Sequence, residues 1–97
     1  MSTMCGGLSE KKDINDEVKG LCDELKQKME EKLDKTFEKF EALHYKQQLV
    51  SGMNYFVKIH IGNEEFVHAR IYKPLFDAGE LTSIKGSLAL ADEIEYF

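Results

Sequence analysis

The spacing of apolar residues changes its period once along this chain, and that change limits the folds open to it. From Ile14 onward, Ile14, Val18, Leu21, Cys22, Leu25, Met29 and Leu33 recur at intervals of three and four, with Lys, Glu and Asp between them. Such spacing places the apolar side chains on one stripe of a helix. After Thr36 the period falls to two. Met53, Tyr55, Val57, Ile59 and Ile61 alternate with Asn54, Phe56, Lys58 and His60, and "FVHARIY" resumes the alternation after "GNEE". Alternation sends successive side chains to opposite faces of a strand. A striped helix and a one-sided sheet each need an apolar partner, and each can cover the other.

The element boundaries follow from the same pattern. Asp13 is the expected N-cap of the helix, Asp16 and Glu17 suit its first turn, and Lys32 and Lys35 suit its end. About 22 residues at 1.5 Å each give a rod roughly 33 Å long. Gly20 inside it costs roughly 1 kcal/mol relative to alanine, which a close approach to a strand would explain. If the odd positions from Met53 to Ile61 face the helix, then Val67, Ala69 and Ile71 share that side. This register pairs Ile59 with Val67 and leaves Gly62, Asn63 and Glu64 as the loop. Phe66, His68 and Arg70 then point outward beside Lys58 and His60. Further strands are expected over Phe40–Val50 and Leu88–Phe97, the last carrying Ile94 and Tyr96. The expected fold is α+β, with one long N-terminal helix packed against a four- to five-stranded antiparallel sheet. With 97 residues the chain reads as a single domain, 1–97, in which 1–12 form a flexible N-terminal segment.

Charge and motif content then narrow the function. A net charge of -5 repels phosphate backbones and anionic lipid, so neither nucleic acid nor a membrane is the expected partner. No apolar run approaches the roughly 20 residues of a spanning helix, and the start lacks the basic-then-apolar order of a signal peptide, so a cytoplasmic protein is expected. Cys5 and Cys22 read as free thiols, since they fit neither a disulfide scaffold nor a zinc spacing. His44, His60 and His68 form no metal-binding motif, and Asp92 and Glu93, adjacent on an expected strand, face opposite ways. A Cys5 nucleophile on a mobile tail lacks the positional accuracy that attack requires. No enzyme activity, metal or cofactor is expected.

Three interruptions of regular structure stand out instead: Gly6-Gly7, the stretch Gln48 to Gly52, and Lys73-Pro74-Leu75-Phe76. In an up-and-down sheet alternate turns lie at one end, where the N-terminal lead-in can join them. Each also has a plainer reading, as a flexible leader, a simple turn and a strand terminator. Together they would make a rim of apolar side chains and glycines, the composition of a binding surface.

The residues of these interruptions resemble those of the cystatins. "KQQLVSGMNYF" is similar to the central strand-loop-strand of that family, whose Gln-x-Val-x-Gly pattern is met by Gln48, Val50 and Gly52. "MCGGLSE" and "DEIEYF" resemble the intracellular type 1 branch, the stefins, over essentially the whole chain from Met4 to Phe97. The resemblance implies a reversible, tight-binding inhibitor of papain-like cysteine proteases, cathepsins among them, that occludes the active-site cleft and is not cleaved. The protease-binding residues it implies are Met4, Cys5, Gly6 and Gly7 in the N-terminal segment, Gln48, Leu49, Val50, Ser51 and Gly52 in the first loop, and Leu75 and Phe76 in the second. Gly52 is expected to let the tip enter a narrow slot, and Gln48 to brace the loop through its amide. Family members usually carry Leu-Pro in the second loop, whereas this chain has Leu75-Phe76 with Pro74 on the other side of the leucine. Two alternatives stay open: a non-inhibitory protein-binding module on the same scaffold, and a self-associating protein. In the second, a monomer would exchange strands to give a dimer.

Overall fold

The structure, a computed structural model, describes residues 7–97. One helix, α1 (Asp16–Leu33), lies on a five-stranded antiparallel sheet whose spatial order follows the chain: β1 (Lys12–Asp13), β2 (Glu41–Val50), β3 (Gly52–Gly62), β4 (Glu65–Lys73) and β5 (Glu80–Leu88). The α+β architecture is as expected. Val18, Leu21, Cys22, Leu25 and Met29 form the buried stripe of α1. They meet Tyr55, Val57, Ile59 and Ile61 of β3 and Val67, Ala69 and Ile71 of β4 in one core. Each fully buried aliphatic side chain there contributes about 1.5–3 kcal/mol. Ile59 pairs with Val67, the register read from the alternation.

The helix begins later than expected. Asn15 is its N-cap, accepting on Oδ1 from the Val18 amide at 2.8 Å while its Nδ2 donates to Tyr45 Oη at 3.1 Å. Asp13, the expected cap, instead pairs with His44 in β1. Ile14 reaches the core from outside the helix, so the periodicity began before the helix did. The helix closes at Asp34, whose φ of 55° is left-handed and whose amide reaches the Glu30 and Glu31 carbonyls. Lys35 lies past that cap and pairs with Glu65 at 2.7 Å. A side chain at Gly20 would meet nothing within 4 Å, so no close strand accounts for that glycine. At the β3–β4 turn, Gly62 remains in β3 and only Asn63 and Glu64 form the loop, both with φ of 56°. Paired left-handed residues match the twist of a two-residue hairpin.

Two larger corrections concern the other face of the sheet. Residues 89–97 are not a strand; the fifth strand is the unforeseen Glu80–Leu88. The terminal segment instead crosses the face opposite α1, so Phe66 and His68, expected outside, are buried. Lys46 Nζ donates to the Ile94 carbonyl at 2.8 Å, Lys58 Nζ to Leu90 at 2.6 Å and Arg70 Nη1 to Phe97 at 2.6 Å. Phe56 packs against Tyr96 in a tilted contact and against Phe97 edge to face, with ring centroids 5.7 Å apart in both cases.

Candidate functional site

The first loop is set by a bend of minimal length. Val50 pairs with Gly52 across Ser51 alone, and Gly52 adopts φ of 108°, where an L side chain is strained. A Cβ at Gly52 would also stand 2.6 Å from the Lys73 carbonyl oxygen and 3.1 Å from Pro74 Cα. The glycine is therefore required by the adjoining main chain. It is buried, and the exposed crest of the loop is Leu49 and Ser51. Below the crest, Gln48 faces Asn54 across the strands and accepts from its Nδ2 at 3.1 Å.

The second loop leaves β4 beside this bend. Tyr72 Oη donates to the Ser51 carbonyl and joins the two loops near their bases. Lys73 Nζ donates to the Pro74 carbonyl at 2.9 Å and to Asp77 at 2.6 Å, drawing both ends of the loop together. Its crest is apolar and uncovered, with Leu75 70% and Phe76 95% exposed, and Leu49 on the first loop is 71% exposed. Leu49, Gly52, Met53, Pro74 and Leu75 line a shared cleft of about 220 Å³, with Glu17 of α1 at its side. Tyr72 was not singled out from the sequence, and Lys73 only as the first residue of the Lys73-Pro74-Leu75-Phe76 interruption, without a role. Their roles depend on where a hydroxyl and an ammonium reach in space, and no spacing encodes that.

The third element approaches the same end. Ser9 donates from its amide to the Gln47 carbonyl at 2.8 Å, and the Gln47 amide donates to Ser9 Oγ at 3.0 Å. With Lys12 opposite Tyr45 in antiparallel register, the lead-in runs toward Leu49 as it is followed back to Gly7. Gly7 is exposed. Met4, Cys5 and Gly6 lie outside the described residues.

Chemically this end offers contact surface and backbone. The one described thiol, Cys22, lies in the core, where burial and then Asp23 push it up to about 12 and keep it protonated. Tyr55, below the cleft, is raised by burial and then by Glu17. Among the described residues no group of three or more His, Cys, Asp and Glu is arranged to hold a metal ion. No helix among them is long and apolar enough to cross a membrane. Preformed apolar crests suit insertion into an apolar groove, with little ordering cost on contact.

Comparison with known proteins gives one family. The family model of the cystatin domain matches residues 6–78. Cystatin-B of Oplegnathus fasciatus is 44% identical over 100 residues, covering all of both chains. Cystatin-B of Homo sapiens is 36% identical over 97 residues, covering 97% of this chain and 99% of that one. Leukocyte cysteine proteinase inhibitor 1 of Sus scrofa is 40% identical over 72 residues, covering 74% of this chain and 70% of that protein.

Proposed function

The chain belongs to the cystatin family, and we propose that its two tied loops and N-terminal segment act together as a reversible plug for the cleft of papain-like cysteine proteases. It inhibits enzymes of that class, and lysosomal cathepsins are the targets we assign to it. The observation that carries the plug is the convergence of three uncovered apolar side chains, Leu49, Leu75 and Phe76, on loops held by the Tyr72–Ser51 hydrogen bond.

In this reading Leu49, Val50 and Ser51 enter the centre of the cleft and Leu75 and Phe76 cover its primed side. Met4, Cys5, Gly6 and Gly7 extend along the non-primed side. Gln48 and Gly52 act from below, holding the first crest in place. The loops present main chain without a carbonyl placed for attack, so the bound inhibitor stays intact. The monomer is the active form, because a dimer made by straightening β2 into β3 would abolish the first loop. The buried unpaired Cys22 suits a reducing compartment, and we place the protein in the cytosol.

The test uses the exposed crests, whose substitution leaves the core untouched. Leu49→Glu and Phe76→Ala should each raise the inhibition constant for papain about tenfold or more, the effect of losing one buried apolar side chain. Their unfolding midpoints should match the parent. If both variants inhibit as the parent does, the assigned surface is wrong.

A further inference from the structure

The three lysines Lys11, Lys46 and Lys58 converge on a cavity of about 410 Å³ under the terminal segment, closed by Leu90, Glu93 and Ile94. This site lies on the sheet face opposite α1 and outside the loops described above. Lys58 is only 6% exposed. None of the three forms an ion pair among the described residues, and Lys46 and Lys58 each donate to a neutral main-chain carbonyl. An ammonium carries three donors, so most of the hydrogen-bonding capacity of Lys46 and Lys58 stays open, with Asp92 and Glu93 the opposing charges that act on Lys58. Burial and then the nearby Lys11 hold Lys58 below its ordinary value, with Asp92 and Glu93 opposing them. This concentration occurs in a chain whose net charge is -5, so a generally basic surface does not explain it.

We propose that the Lys11–Lys46–Lys58 cavity is a binding site for a tetrahedral oxyanion of the phosphate class. Three ammoniums against the carboxylates of Glu93, in the lining, and Asp92, close enough to act on Lys58, leave a net positive charge that such an ion meets. Its oxygens accept the free N–H groups as charge-assisted hydrogen bonds. Because Lys11 belongs to the lead-in, Lys46 to β2 and Lys58 to β3, the ion ties these elements to the terminal segment.

Titration with inorganic phosphate at pH 7.5, with sodium chloride holding ionic strength constant, tests the site by calorimetry and by the unfolding midpoint. Saturable binding and a midpoint raised above the chloride control are expected. Lys11→Gln and Lys46→Gln should each weaken binding about tenfold, the effect of losing one charge-assisted contact. Lys58→Met should abolish binding; if it fails to fold, the other two variants still decide the matter. Lys28→Gln, on the far side of the molecule, should bind as the parent does. A parent midpoint no higher than in chloride, or full binding by both Lys11→Gln and Lys46→Gln, overturns the proposal. Displacement of bound phosphate by O-phosphoserine would extend the site to monoesters, and its failure would confine the site to the free ion.

Discussion

β3 and β4 bury both of their faces, but by different means. Toward α1 they present Val57, Ile59, Val67, Ala69 and Ile71, all fully buried among hydrocarbon. Toward residues 89–97 they present Phe56, Lys58, His68 and Arg70, whose charges are met by carbonyls and ring faces. The first contact is stabilised by area removed from water and needs no orientation. The second depends on directed pairing, and it is imperfect: His60 Nε2, His68 Nε2 and Arg70 Nε are buried without a hydrogen-bond partner among the described residues. One face should therefore resist changes of pH and the other should respond to them.

The largest expected effect lies on the helix face. Ile59→Ala should lower unfolding free energy by about 2–5 kcal/mol in urea, as cavity-forming core substitutions do, and its loss should be nearly the same at pH 5 and pH 7. Acid sets the next effect. His68 is 3% exposed and held down at about 4 by burial, with Lys58 and then Lys85 adding repulsion and Asp92 opposing them. The unfolded histidine takes up a proton near pH 6.5 while the folded one stays neutral. Its contribution to stability is thus complete above pH 6.5 and is lost as pH falls toward 4, by up to roughly 3 kcal/mol. His68→Gln should flatten the urea-midpoint profile over that window, and an unchanged slope would remove the contrast between the faces.

Arg70→Ala should cost about 2 kcal/mol, since it removes a charged hydrogen bond to Phe97 and contacts with the Phe56 and Tyr96 rings. Hydrogen exchange should rise first in residues 89–97; a uniform rise would mean that the terminal segment and the core open as one unit. Tyr96→Ala, which removes a ring already 60% exposed, should cost about 1 kcal/mol.

What could be read from the sequence follows the same division. The helix stripe and the Ile59–Val67 register were legible because area-driven burial leaves a period in the residues. The terminal segment carries the alternation Ile94, Tyr96 and so reads as a strand. It packs instead through carbonyls that accept from Lys46, Lys58 and Arg70, and carbonyls have no sequence signature. β5 was missed because "ELTSIKGSL" is an edge strand, with Gly86 within it and bulges in its pairing to β4. Its apolar positions Leu81 and Ile84 are spaced by three, not two. Asp13 and Asn15 are both good caps by type; strand pairing at Asp13 decided between them. At the loops, pattern located Gln48 to Gly52 and Leu75-Phe76, but the contact between them appears only when Gly52 is seen against Lys73.

That contact makes the loops two prongs with a common root. A methyl group at position 52 would push on the main chain of the neighbouring prong, so neither base can be rebuilt without moving the other. Variation without distortion is confined to the crests, at Leu49, Ser51, Leu75 and Phe76. For the plug proposed above, an engineer seeking a new target enzyme has four interchangeable tips on a stem that has to be kept whole.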